Sequence, residues 1–265
     1  MLVEETGGAT ANGGGSMGTS GNRIWTRREW LGSAVLAGGS AALVGSQGLT
    51  RTAWAQEDGE WKHLMTENGV VVWVRDEPGR TVPVFKGIGT VDAGMFECLA
   101  VLDDTARHTE WMSNCKVSKV VKAVDEFERY VYNRTKAPWP VSDRDVVVHG
   151  TIQGSVAKRE VWSRFQSVSL PAMPPQDGCV RMPRLRGYYR LQALDEKRTR
   201  ITYQIDADSG GMLPEWLVAR TVRKLPIDTV VGLRTQVAKT RGKYQGFLGK
   251  YDPAFGGQVP ERFRD

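Results

Sequence analysis

From Arg200 to Asp208 apolar and polar side chains alternate without a break. Ile201, Tyr203, Ile205 and Ala207 fall on one side, Arg200, Thr202, Gln204 and Asp206 on the other. A period of two marks a strand with one face turned to a core. The same reading, supported by β-branched and aromatic residues, predicts strands over Val70–Asp76, Val82–Val91, Val117–Asp125, Glu128–Lys136, Arg144–Gln153, Arg159–Ser169 and Cys179–Leu194. Asn68-Gly69 and Pro78-Gly79 are turn signals. Joins as short as Asp195–Arg198 make antiparallel neighbours the expected arrangement. Only Pro171–Gly178, rich in proline, is too irregular for a hairpin turn.

The period changes to a helical one twice. Asp92 is the expected N-cap of a helix reaching about Asp103, with Met95, Leu99 and Leu102 on one face and Trp111 closing the region. Beyond Gly210-Gly211, Pro214 occupies a first helical position and the helical pattern runs to about Phe247. Such a helix is roughly 50 Å long at ~1.5 Å per residue. Pro226 lacks an amide donor and crowds the preceding turn, so a kink is expected there. Val230, Leu233, Val237 and Tyr244 form the apolar stripe, with Arg234, Lys239, Arg241 and Lys243 mostly off it. A long amphipathic helix after a run of antiparallel strands packs into the concave face of the sheet. The expected class is α+β, a curved antiparallel sheet wrapped around a long C-terminal helix and enclosing a hydrophobic cavity.

The N-terminal fifth of the chain reads differently. Residues 1–22 are rich in Gly, Ser and Thr without apolar periodicity and are expected to be disordered, with Met17 an alternative start. Residues 23–55 read as an export signal. Thr26-Arg27-Arg28-Glu29-Trp30-Leu31 fits the twin-arginine pattern, Ser33–Gly48 is a mildly apolar run too short to span a bilayer stably, and Ala53-Trp54-Ala55 supplies a cleavage site after Ala55. Removing the first 55 of 265 residues leaves 210, enough for one well-buried domain, here residues 56–250 with a tail over 251–265. A periplasmic or otherwise exported protein, soluble after cleavage, is the expectation.

Charge narrows the partners. The chain carries 36 Lys and Arg against 30 Asp and Glu, a net +6, and without the leader the balance is 32 against 27. No basic block or stacking-aromatic motif accompanies the excess, which argues against nucleic acid and for weak attraction to anionic head groups. Cys98, Cys115 and Cys179 lack metal-ligand spacing and read as thiols, although an oxidising compartment allows one disulfide. Catalytic patterns are missing from the sequence. His63, His108 and His149 form no metal pair, no Gly-x-Ser-x-Gly elbow exists, and glycine-rich stretches never join a strand to a helix as a phosphate loop requires. Asp143-Arg144-Asp145 is expected to tie loops together, and Asp103-Asp104 to end a helix near Arg107. The reading is a monomeric binding protein without cofactor or metal.

The corner Ala137-Pro138-Trp139-Pro140-Val141-Ser142-Asp143-Arg144-Asp145-Val146 is the most distinctive stretch. Two prolines hold Trp139 extended and keep it out of a central strand. The segment resembles the Pro-Trp-Pro-(hydrophobic)-Ser-x-Arg-Asp corner of START lipid-transfer domains. Asn68–Arg75, Leu102-Asp103-Asp104 with Glu110-Trp111, Gly178–Arg181 and Asp208–Leu217 resemble further family segments in the right order, so the likeness spans nearly all of residues 60–248. It implies the helix-grip fold, a lipid or other hydrophobic small molecule as ligand, and a transient membrane surface as partner.

Alternation then names the site. Val131, Asn133 and Thr135 share a face of the incoming strand, and Val146, Val148, Gly150 and Ile152 one of the outgoing strand. Some START carriers place an acidic residue and an arginine inside the cavity on these strands. Those positions are Val131 and Gly150 here, a departure that puts the sterol carriers' ligand choice in doubt. The candidate ligand contacts are Val131, Asn133, Val146, Val148, Tyr189, Tyr203, Ile205, Leu233 and Val237, with Asn133 the first polar candidate. Trp139, Trp216 and Pro226 are candidate gate residues, and Tyr244 is a further candidate for the membrane interface. Two other readings stay open. One is a cyclase or hydrolase of the wider superfamily, which needs an ionisable group pointing inward, where alternation puts Val, Gly, Asn and Tyr. The other is a ligand-sensing module.

Overall fold

The computed structural model describes residues 60–80, 82–211 and 215–264, with residues 215–222 described by their backbone alone. Arg27, Arg28, Ala53 and Ala55 lie outside the described residues. Ten strands form one sheet: β1 (Lys62–Glu67), β2 (Val70–Arg75), β3 (Val84–Val91), β4 (Cys115–Asp125), β5 (Glu128–Thr135), β6 (Asp143–Ser155), β7 (Glu160–Ser167), β8 (Cys179–Arg181), β9 (Arg184–Ala193) and β10 (Thr199–Asp208). Their order is β1-β2-β3-β10-β9-β7-β6-β5-β4, every pair antiparallel except the short β8, which runs parallel to the start of β6. Helices α1 (Met95–Asp103) and α2 (His108–Trp111) follow β3, and α3 (Glu215–Lys239) and α4 (Gln245–Tyr251) follow β10.

Several boundaries differ from the sequence expectation. β1 is an additional strand, paired only with β2. Cys179–Leu194 is two strands, because Pro183 has no N–H to continue the ladder. The N-cap of α1 is Gly94 rather than Asp92, and the Glu97 carboxylate accepts the Gly94 N–H at 3.2 Å. The final helix ends at Lys239, where Gly242 takes a left-handed φ of 79°, and restarts as α4. Residues 251–265, set apart as a tail by the sequence, carry Phe263 into the core at 1% exposure, its ring 5.3 Å from Phe127.

α3 lies against β3 because β3 offers two glycines. A Cβ on Gly87 would meet the Pro226 ring at 2.7 Å, and one on Gly89 would meet Val230 at 2.8 Å. Arg234 then fastens the helix by donating to the carbonyls of Thr90 (2.7 Å), Asn68 (2.5 Å) and Gly69 (3.1 Å). Val230, Leu233 and Val237 pack with Leu99, Val101 and Val70 in the main core. α3 continues through Pro226 as one element, with that proline buried.

The corner at Asp143–Asp145 is held by charge, as its composition suggested. Asp143 accepts from Arg134 Nε at 2.7 Å and the Ala137 N–H at 3.2 Å. Asp145, fully buried, takes Arg181 Nε at 2.8 Å and Nη2 at 2.9 Å, plus the Gln176 N–H at 3.2 Å. Arg181 also donates to the carbonyls of Met173 and Pro174, so this pair fixes the proline-rich loop. Burial works to raise the Asp145 pKa, but Arg181 and the Gln176 amide outweigh it and the net shift is downward. Its stabilisation is therefore complete above the ordinary carboxyl value of ~3.9 and is lost as pH falls through the lower folded value. Asp145→Ala should cost about 2–4 kcal/mol, less than a wholly buried pair because Arg181 can reach water. A thermal melt at pH 7 should show a drop of roughly 5–15 °C that narrows toward pH 3.

Candidate ligand-binding site

Between the inner sheet face and α3 lies a cavity of about 1100 Å³. The register of β5 and β6 sets its long walls: Val131 stands opposite Val148, and Asn133 opposite Val146. Val131, Val146 and Val148 form a buried cluster flanked by Phe165, Met182 and Leu185. Tyr189, Tyr203 and Ile205 add the wall from β9 and β10, and Lys224, Leu225, Asp228 and Thr229 the side formed by α3. From Arg129 to Thr135 along β5 the cavity runs about 20 Å at ~3.4 Å per residue. One end lies at the β5–β6 corner and the other beneath α1.

Seven of the sequence-derived contacts, Val131, Asn133, Val146, Val148, Tyr189, Tyr203 and Ile205, line this space. Leu233 and Val237 do not, and that placement is corrected. α3 advances ~5.4 Å per turn, so Leu233, about one turn beyond Thr229, and Val237, about two, lie past the cavity and pack in the main core. Trp139 lines the corner end at 93% exposure, preceding a cis Trp139–Pro140 bond. Trp216 is on α3, and Pro226 packs on Gly87. The Tyr244 hydroxyl donates to Asp104 Oδ2 at 3.0 Å, which ties this half-buried side chain to the end of α1.

Ionisable groups do reach the cavity, contrary to the expectation from alternation. Asp103, His108 and Arg129 line the end beneath α1. Arg129 Nη2 stands 2.8 Å from Asp103 Oδ1, and Nη1 donates to the Asp103 carbonyl at 3.2 Å. Burial pushes the Asp103 carboxyl up more than Arg129 pulls it down. His108 Nε2 lies 2.9 Å from the Leu102 carbonyl, which only accepts, so Nε2 carries the proton and Nδ1 accepts from the Ser118 hydroxyl at 3.1 Å. Burial lowers its pKa, leaving a neutral ring at pH 7 with both nitrogens engaged. Tyr189 and Tyr203 stack with centroids 4.7 Å apart, and burial raises both phenols above their ordinary value.

One wall group stands out by having nothing to bond. Asn133 Oδ1 is buried without a hydrogen-bond partner. Thr135, Gly150, Ile152 and Cys115 also line the cavity, whereas Asp104 and His149 lie off it. Asp104 pairs with Arg107 at 3.3 Å. His149 faces away from the cavity, bonded to Glu128 at 2.9 Å and stacked on Tyr130. The three cysteines are free thiols, with burial pushing Cys98 up to about 12.

An antiparallel sheet with a long C-terminal helix across one face, and a cavity between the two, defines the helix-grip class. A family profile described as START domain matches residues 49–241, and the chain belongs to that family. The crystal structure of a STAR-related lipid transfer protein fragment from Xanthomonas axonopodis is similar at 33% identity, covering 68% of this chain and 99% of that one with a TM-score of 0.61. Human STARD10 shares the fold with a TM-score of 0.65 at 23% identity, over 81% of this chain and 87% of that one. An uncharacterised protein of Pseudomonas aeruginosa is 28% identical over 180 residues, 68% of this chain and 88% of its own length. START domain-containing protein 10 of Mus musculus is 25% identical over 197 residues, 74% of this chain but 66% of the mouse protein.

Proposed function

We propose that the protein is an exported carrier that holds one hydrophobic molecule, a lipid or sterol-like compound, and moves or buffers it between membranes. The observation carrying this reading is a long, valine-walled cavity in which Asn133 Oδ1 alone among the described buried side-chain nitrogens and oxygens of the wall lacks any polar or ionic partner. The lipid-transfer relative from Xanthomonas supports it. Asp103, His108 and Arg129 are the observation that favours the enzyme reading, but the Asp103 carboxylate is paired with Arg129 and both His108 nitrogens are held, by the Leu102 carbonyl and the Ser118 hydroxyl. The mature chain starts at Gln56, works as a soluble monomer and meets the membrane at the corner end, where Trp139 is exposed.

Burying ~400 Å² of apolar ligand surface contributes roughly 10 kcal/mol gross. A bilayer offers its lipids nearly the same, so discrimination falls to the few polar contacts. Asn133→Leu should raise the melting temperature by about 2–4 °C, because an unpaired buried carbonyl is removed. It should also weaken retention of the natural ligand by ~1–3 kcal/mol, roughly 5- to 150-fold. Unchanged retention would remove Asn133 from the site. The function itself is tested by native mass spectrometry of the protein recovered from its host's envelope. The intact mass reports whether the chain begins at Gln56, and an adduct extractable as intact lipid supports the carrier. A chemically altered product, or no adduct and no uptake from liposomes, counts against it.

A further inference from the structure

Arg144 is the buried charged residue of the corner that no described carboxylate answers. Its neighbours are matched, Asp143 with Arg134 at 2.7 Å and Lys116 at 3.3 Å, and Asp145 with Arg181 at 2.8 Å. Arg144 is only 7% exposed and donates to backbone carbonyls instead: Nη1 to Ser142 at 2.6 Å, Nε to Ser209 at 3.3 Å and Nη2 to Gly210 at 3.1 Å. A guanidinium has five N–H donors, so these bonds leave two, one on each terminal nitrogen, without a partner among the described residues. The side chain lies on the face of β6 that carries Val146 and Val148, and it lines the cavity with them. Of the other charged groups on that wall, Lys136 adds a cation from the same corner, and Asp228 faces in from α3 with the Ser113 hydroxyl 3.5 Å away. A buried cation held by carbonyls alone keeps most of its desolvation cost, and an oxyanion is the group that offsets it.

We infer that Arg144 receives an oxyanion, a carboxylate or phosphate borne by the molecule in the cavity, whose apolar part lies along Val146, Val148 and Val131. This rests on the carrier reading and narrows its ligand to amphiphiles with an anionic end. The two free donors suit such a group, which takes paired N–H bonds from one guanidinium. The same side chain ties the corner to the Ser209–Gly210 joint that leads into α3, so one arginine links the head group to that joint.

Hexadecanoic acid and hexadecanol differ only in the terminal group and serve as the probes. Titration calorimetry on the mature protein should find the acid at least tenfold tighter at pH 7.5, with the ratio falling to about one in Arg144→Gln and partly restored in Arg144→Lys. The carboxyl of ¹³C-labelled acid bound to the wild-type chain should titrate below its value in water. That measurement decides the matter on its own should the glutamine variant fail to fold. Equal affinities in the wild type, a preference that survives Arg144→Gln, or a carboxyl titrating at or above its water value overturns the inference. Uptake of the neutral dye Nile red separates the two failures. Dye uptake without either probe overturns the oxyanion site and spares the carrier, and loss of all three overturns both.

Discussion

Val148→Glu should reduce uptake of an apolar molecule at least 100-fold at pH 7 while the chain stays folded. Val148 is buried in the middle of the cavity wall, opposite Val131 and beside Val146. In the empty protein a carboxylate there can be hydrated, since a cavity of about 1100 Å³ has room for water. Ligand binding expels that water and leaves the charge against hydrocarbon, at a cost of several kcal/mol. Even ~3 kcal/mol is more than a hundredfold in affinity. Desolvation by the ligand raises the carboxyl pKa, so binding should recover as pH falls and the neutral form takes over. Fluorescent-lipid uptake at pH 7 and pH 5, with circular dichroism as the check on folding and Val148→Leu as the size control, reads the outcome. Unchanged uptake at pH 7 would show that the ligand lies elsewhere.

Gly187→Ala should be the most damaging single-methyl change in the sheet. Gly187 pairs with Ile205 on one side and Phe165 on the other. A Cβ there would lie 2.2 Å from the Gln204 carbonyl oxygen and 2.7 Å from the Phe165 ring. The ring can tilt, but the carbonyl belongs to the β9–β10 ladder and moves only if the ladder opens. Overpacking of this kind costs about 3 kcal/mol or more, which for a domain of this size lowers the melting temperature by roughly 6–12 °C. Because Phe165 forms part of the cavity wall, ligand retention should fall with stability. A melt within 2 °C of wild type, roughly half a kcal/mol, would contradict the tight packing described.

Strands with one buried face were readable from the chain because their alternation is uninterrupted: Arg200–Asp208 is β10 to within one residue. β1 escaped because Lys62–Glu67 is half exposed, contains a register shift between His63 and Met65, and pairs with a single neighbour. The division of Cys179–Leu194 was marked by Pro183, and the end of α3 by Gly242, but apolar periodicity runs past both. Within the site, the alternation that names Val131, Asn133 and Thr135 reaches Arg129 two residues earlier. Its partner Asp103 comes from a helix 26 positions back, a tertiary pairing that no local pattern carries. The end of the cavity beneath α1 was hidden for that reason, while its valine walls were not.

Those valines belong to a cluster of their own. Val131, Val146 and Val148 stand apart from the main core, which gathers α1, α3, α4 and the inner faces of β2 and β10, and the two clusters meet through half-buried Phe165 and Leu185. Tyr189, Tyr203 and Ile205 serve the main core and the cavity wall together, whereas these three valines serve the wall without belonging to that core. Such a division lets selection explore cargo without crossing the stability threshold that purges most core mutations. A lineage can change what it carries by exchanging three side chains for others of similar bulk, one at a time, each intermediate still folded. Paralogues within one genome should accordingly diverge first at these three positions.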